Sequence, residues 1–234
     1  MITLSNLSLA YQQKYLLRSA NITFGSGTLT ALIGRNGAGK STLLRALAAI
    51  DTPAEGSVML NDKNLHKLTA EQRARLISFV STQRVRIANM LCQDVVSIGR
   101  APYTNWLGSM QEEDSLIVSS ALEAVGMSDF ALRAIDTLSD GECQRIMIAR
   151  ALAQQTPVIV LDEPTAFLDI PTRFEICRLL AELAHSSGKT IIFSTHDIDA
   201  AMPVCDAFAI LDNATISMYN QQSAKEQIKR LFSL

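Results

Sequence analysis

The sequence predicts an α/β fold: a mostly parallel sheet, an antiparallel β segment ahead of it, and a helical insert. Three observations carry that prediction. Four apolar runs, residues 29–33, 76–80, 158–161 and 190–195, have the length and side chains of buried strands. The first runs into a glycine-rich loop and then into helical sequence, residues 43–48. From about residue 86 to 153 strand signals vanish and helical periodicity takes over.

At the N-terminus, residues 2–4 and 7–9 alternate like half-buried strands, and residues 22–24 do so after a break. Tyr11 lies between them. An aromatic just upstream of a phosphate loop can stack on adenine, and it can equally be a surface residue of a hairpin. The loop itself reads Gly34-Arg35-Asn36-Gly37-Ala38-Gly39-Lys40-Ser41-Thr42. Strand, glycine turn, lysine, hydroxyl, helix is the order of a P-loop, so the predicted core is that of a P-loop NTPase. Glycines let the backbone curl so that successive amides face phosphate oxygens, and the helix adds the positive end of its dipole. Lys40 can bridge the outer phosphates and Ser41 can ligate Mg²⁺.

Pro53 and Gly56 mark a loop, residues 57–60 a strand, and Asn61-Asp62 its turn. Thr69 with Gln72 has capping-box form, so a short helix starts there. The strand at 76–80 ends near Gln83, where an α/β sheet presents its ligands; Gln83 can ligate Mg²⁺ or sense the attacking water. Within the insert, residues 94–99 read as a helix stopped by Gly99, and residues 112–125 as a helix closed by Gly126. Between them, residues 100–109 form a loop holding Pro102, Tyr103 and Trp106, aromatics that either face a partner or fill the insert's own core.

Ser139 and Glu142 form a second capping box, opening a helix to Ala153 and leaving an exposed N-terminus able to meet a phosphate. The strand at 158–161 ends in Asp162-Glu163. Successive strand residues point to opposite sides, so Asp162 can face Mg²⁺ while Glu163 addresses a water. Residues 166–169 form a turn, Pro171 suits the first turn of a helix, and Gly188 closes it. The strand at 190–195 ends at His196, placed like Gln83 and Glu163; Asp197 is expected to cap the next helix, and His66 and His185 to be solvated. Residues 207–211 and 215–218 pair as a hairpin, and a terminal helix begins near Ser223.

Composition bounds the function. A chain of 234 residues that is 48% hydrophobic supports a sizeable core. A net charge of −2 disfavours a nucleic-acid partner. Four scattered cysteines give no metal or disulfide framework and fit reduced thiols. The sequence opens straight into strand-like residues, without signal-peptide character, and holds no apolar stretch near the ~18 residues that cross a bilayer.

Taken in this order the motifs resemble the ATP-binding cassette (ABC) ATPases along the whole chain. Gly34 to Thr42 match the Walker A motif, Gln83 the Q-loop, residues 158–163 the Walker B strand with its catalytic glutamate, residues 166–169 with Asp169 the D-loop, and His196 the switch histidine. Tyr11 falls where the adenine-stacking aromatic sits. Leu138-Ser139-Asp140-Gly141-Glu142 resembles the family's Leu-Ser-Gly-Gly-Gln signature and departs from it at Asp140 and Glu142. The stretch Asp94-Val95-Val96 with Gly99-Arg100-Ala101-Pro102-Tyr103 is similar to the importer branch that carries iron–siderophore, haem or cobalamin.

The resemblance implies one cassette domain, with its core at about 1–85 and 154–234 and a helical subdomain at about 86–153. It implies ATP and Mg²⁺, the latter held by Ser41, Gln83 and Asp162, and a head-to-tail homodimer. Each ATP would lie on one subunit's Walker A loop and meet the other's signature. Glu163 would activate water and His196 would hold the γ-phosphate side. It further implies permease subunits, a substrate-binding protein, and a peripheral place on the cytoplasmic face of a bacterial-type inner membrane. As a helix-first residue Asp140 is expected to point outward. The rival readings are a soluble cassette ATPase not coupled to transport, and a nucleotide-binding adaptor with little turnover.

Overall fold

The computed structural model describes residues 1–12, 14–83, 87–104 and 110–232. In chain order these form β1 (Ile2–Tyr11), β2 (Lys14–Phe24), β3 (Leu29–Gly34), α1 (Lys40–Leu47), β4 (Glu55–Leu60), β5 (Lys63–Asn64), α2 (Ala70–Ala74) and β6 (Ile77–Val80). The helices α3 (Cys92–Ser97), α4 (Glu112–Ala124) and α5 (Asp140–Ala153) follow. The chain then returns to β7 (Val158–Leu161), α6 (Ile170–Ser187), β8 (Thr190–Ser194), α7 (Ile198–Ala201), β9 (Ala207–Asp212), β10 (Thr215–Tyr219) and α8 (Gln221–Phe232).

Two sheets result. One is ordered β2-β1-β4-β5 and its pairs are antiparallel; the other is ordered β10-β9-β3-β8-β7-β6. In the second sheet the pairs β9–β3, β3–β8, β8–β7 and β7–β6 are parallel, and only the edge strand β10 runs against its neighbour. The alternation of side chains explains the layers. Leu29, Ala31 and Ile33 of β3 and Ile191 and Phe193 of β8 pack on one face with α3 to α6 and α8. Leu32, Val158, Val160 and Ile192 pack on the other face, with α1 between them and the antiparallel sheet. Both faces are covered, so the inner strands β3, β7 and β8 are buried along their full length.

β2 is longer than the sequence suggests: it runs from Lys14 with no break before Ile22. Its pairing with β1 shifts register between Leu4 and Leu7 and again between Leu7 and Leu9, and Ser19 sits at φ 41°. Such bulges break the two-residue alternation on which strand recognition depends.

The described part of residues 87–153 contributes α3, α4, α5, short 3₁₀ turns and a single β-bridge, Leu91 to Ala134. Its apolar side chains are continuous with the sheet's core: Val96, Leu122 and Ile146 belong to the same buried cluster as Leu161 and Phe193. Gly99 does not end a helix. The chain continues through a 3₁₀ turn, Ile98–Arg100, and a Cβ on Gly99 would lie 2.3 Å from the carbonyl oxygen of Arg150. The glycine is there because α5 passes against it.

Arg100 and Tyr103 belong to the interior scaffold. Arg100 is buried; its Nε donates to Asp114 Oδ1 at 2.8 Å, and its Nη1 donates to the Ala153 carbonyl and to Gln155. The Tyr103 ring lies between the guanidinium groups of Arg100 and Arg75, 4.1 and 5.1 Å from its centre, and its hydroxyl donates to the Gln154 carbonyl. Trp106 lies outside the described residues. Of the two histidines expected in water, His185 is exposed and pairs with Asp206. His66 is instead half-buried: Nε2 meets the Asp51 carbonyl at 3.1 Å and burial lowers its pKa.

Candidate active site

The site is built at the carboxyl edge of the parallel sheet. β3 ends at Gly34, whose Cα approaches β9 so closely that a Cβ would sit 2.7 Å from the Leu211 carbonyl. The loop turns through residues 35–38, with the Ala38 amide donating to the Arg35 carbonyl at 3.1 Å. Gly39, at φ 104°, is the N-cap of α1 and supplies no capping side chain; the first turn of α1 holds no acidic residue either. Unlike α2 and α5, which close their own N-termini with capping boxes, α1 leaves its first amides available to an anion. Asn36 and Ser41 are exposed beside this turn, and Thr42 is half-buried.

Lys40 points back over the loop and is buried. Its Nζ donates to the Gly34 carbonyl at 3.0 Å and lies 3.1 Å from His196 Nε2. Burial lowers its pKa, and the nearby Glu163 and Asp162 carboxylates act in the opposite direction. The same His196 nitrogen is 2.8 Å from Glu163 Oε1. One ring nitrogen cannot accept from an ammonium and donate to a carboxylate at once, so the tautomer selects which contact is a hydrogen bond.

Asp162 and Glu163 lie just past the end of β7, where strand alternation no longer sets their directions, and they take different partners. Asp162 is buried, and its Oδ1 accepts from Ser194 Oγ at 2.7 Å. Ser194 Oγ in turn accepts from the Glu163 amide at 2.8 Å. Thr82 Oγ1 donates to the Asp162 carbonyl, tying β6 to β7 at the same level. Glu163 adopts φ 48°, a conformation that costs energy for a side chain of this size and that holds the carboxyl at the edge. Gln83 is exposed and lines, with Glu163, one wall of a small cleft; Asp140 and Gln144 of α5 line the other.

The family model for ABC transporters matches residues 17–166. The chain belongs to the ABC transporter family. It is similar to the iron(3+)-hydroxamate import ATP-binding protein of Bacillus subtilis (strain 168): 34% identical over 215 residues, 92% of this chain and 80% of that one. Its fold matches a chain from a structure described as an inward-facing, metal-chelate type ABC transporter, with TM-score 0.87 and 28% identity over 100% of this chain and 89% of the other. It also matches a dimeric ATP-binding cassette in a post-hydrolysis state bound to ADP and phosphate, with TM-score 0.80 and 28% identity over 94% of this chain and 99% of that one.

In this ABC chain Lys40, Asp162, Glu163 and His196 meet at one edge, with Gln83 at its rim. Of residues 138–142, only Asp140 lines the cleft at that rim. Leu138 is buried, Ser139 caps α5, and Asp140, Gly141 and Glu142 border a second cleft with Phe167 and Asp169. Asp140 is half-buried between the two clefts rather than turned outward, because the first turn of α5 is enclosed by the turn after β7. Glu142 accepts from both the amide and the hydroxyl of Ser139, at 2.8 and 2.7 Å, and these bonds lower its pKa. Gly141 packs on α6: a Cβ there would lie 2.7 Å from Thr172 Cγ2. Asp169 is the N-cap of α6, accepting from the Thr172 amide at 2.9 Å. Tyr11 is 62% exposed at the tip of the β1–β2 hairpin, whose Leu16 touches the Gly39 turn.

Asp197 does not cap α7. Its carboxylate is taken by Thr165 Oγ1 and the Arg173 guanidinium, which fix the turn after Glu163 against α6. Ser194 joins Asp162 and Glu163 at this edge and lies outside the expected set of site residues. The available signal is a small hydroxyl at the carboxyl end of an otherwise apolar strand, the same placement that pointed to Gln83 and His196.

Proposed function

We propose that this chain is the ATP-hydrolysing subunit of a membrane importer whose cargo is a metal chelate of the iron–siderophore, haem or cobalamin class. The observation that carries the reading is the convergence of Lys40, Asp162, Glu163 and His196 on the open N-terminus of α1. The iron-hydroxamate import relative and the metal-chelate type neighbour support the cargo class. No helix among the described residues is long and apolar enough to cross a membrane, so the subunit would sit peripherally on permease subunits.

The chemistry follows from the placement. The loop amides and the α1 dipole receive the β- and γ-phosphates. Lys40 exchanges its Gly34 carbonyl for phosphate oxygens; next to that anion the cost of burying the ammonium is offset. Among the described residues no group of three or more His, Cys, Asp or Glu forms a cation cage. The Ser41 hydroxyl, the Gln83 carbonyl and the Asp162 carboxylate are hard oxygen donors, which suits Mg²⁺, an ion that keeps waters and takes its remaining ligands from phosphates. When bound, Mg²⁺ supplies charge neutralisation for phosphoryl transfer. Glu163 accepts a proton from the attacking water or orients it, and His196, released from Lys40, donates to the γ-phosphate. Tyr11 stacks on the adenine. A second copy, arranged head to tail, brings residues 138–142 to the same γ-phosphate, with Asp169 at the seam.

The test is affinity purification of the chain from membranes in detergent, followed by ATPase assay of what is recovered. A polytopic membrane protein should co-purify, and hydrolysis should vanish in Lys40→Ala. Recovery of the chain alone, with hydrolysis untouched by that substitution, would overturn the reading.

A further inference from the structure

The first residue after β3 is held from outside the phosphate loop. Arg35 Nε and Nη2 donate to the carbonyl of Leu231 at 3.0 and 2.6 Å. Leu231 lies in the last turn of α8, where the carbonyls have no partner further along the helix and carry the negative end of its dipole. A planar guanidinium offering two N–H groups to that oxygen is a directional cap, which a flexible ammonium cannot reproduce in full. α8 is firmly seated: Ala224, Ile228 and Leu231 are buried in the core cluster. On the other side, the Arg35 carbonyl closes the 35–38 turn by accepting from the Ala38 amide. A continuous chain of contacts therefore runs from the end of α8, through Arg35, to the turn that aims the Gly39 and Lys40 amides.

We propose that Arg35 is a positioning residue for ATP, and that α8 sets the pose of the phosphate loop through the Leu231 carbonyl. The inference rests on the reading of this loop as the ATP site. It gives the Arg35 side chain no contact with nucleotide. It also makes the C-terminal helix a lever on ATP affinity, because whatever displaces the last turn of α8 releases the loop.

The experiment compares the full chain with Arg35→Ala, Arg35→Lys, a chain ended after Lys229, and that shortened chain carrying Arg35→Ala. ATP affinity is read by calorimetry, and KM and kcat by hydrolysis. Loss of charge-assisted bonds predicts an affinity about fivefold weaker in Arg35→Ala, with KM rising in step and kcat falling less than KM rises. Arg35→Lys should recover about half of the loss. The shortened chain, which also loses the buried Leu231 side chain, should bind ATP at least as weakly as Arg35→Ala, and adding Arg35→Ala to it should weaken binding no further, since the Leu231 carbonyl is already gone. Unchanged affinity in Arg35→Ala, a kcat loss larger than the KM change, or additive losses would overturn the proposal. Should the shortened chain not fold, the alanine and lysine variants decide alone. Lys40→Ala separates the two levels: weakened binding there with Arg35→Ala unchanged removes only the positioning role, while unchanged binding in both removes the ATP site itself.

Discussion

Lys40 is the buried cation of the edge, and its present partners, a carbonyl and an imidazole nitrogen, are ones a triphosphate can replace. Each charge-assisted bond to phosphate is worth about 1.5–3 kcal/mol, so Lys40→Ala should weaken ATP binding at least about tenfold by calorimetry. Glu142 is the residue where this chain departs from the signature with a measurable consequence. The Thr69 capping box uses Gln72 in the same role, so Glu142→Gln should keep the box at Ser139 while removing a negative charge from the surface that would meet a second copy's phosphates. The ATP concentration that half-dimerises the Glu163→Gln background, read by sedimentation, should fall when Glu142→Gln is added. A rise would remove Glu142 from that surface. At this scale most of the site was legible, because Lys40, Asp162, Glu163 and His196 each stand in a short-range pattern at the end of an apolar run. Ser194 was not, since one serine after three apolar residues has no distinctive spacing.

Between elements, the 3₁₀ turn after α3 passes α5 at a point where one methyl group does not fit. A Cβ on residue 99 would overlap the Arg150 carbonyl at 2.3 Å, so Gly99→Ala should cost about 1–3 kcal/mol in urea unfolding. Beside it, the buried Arg100–Asp114 pair joins the start of α4 to the end of α5. The Gln111 amide, and after it the Arg100 guanidinium, hold the Asp114 carboxyl below the usual carboxylate range. The folded pKa is depressed, so the ionised form favours the fold. Its contribution is complete above the unfolded value near 4 and is lost as pH falls from there through the lower folded value. Urea midpoints measured from pH 5 downward should therefore drop more steeply for the natural chain than for Asp114→Asn. At pH 7 that variant should be less stable by about 3 kcal/mol, because it leaves Arg100 buried without a charge partner. The helices of this region were legible from their periodicity and caps. The meaning of Gly99 was not, because a glycine after a helix looks the same in sequence whether it ends the helix or admits a neighbour.

For the whole molecule, the cleft holding Gln83 and Glu163 and the cleft bordering residues 139–142 adjoin on one subunit and share Asp140 and Phe167. If two copies complete each other's ATP sites, blocking hydrolysis should trap the pair. Glu163→Gln with ATP should run as a dimer in light scattering, and should return to monomer when nucleotide is removed. A variant that binds ATP and stays monomeric would argue against the paired arrangement.

The chain's own order of residues determined the α/β class, the phosphate loop, the acids after β7 and the caps of α2, α5 and α6, because each is written within a few residues and follows from backbone geometry. Tertiary structure alone decided which partners those side chains take. Asp197 serves Arg173 and Thr165 rather than its own helix, Tyr103 lies between two arginines, and Arg35 reaches the far end of α8. Apart from the local Arg100–Tyr103 contact, these join positions from 24 to 196 residues apart, and they depend on how the layers pack, for which no local spacing is a record.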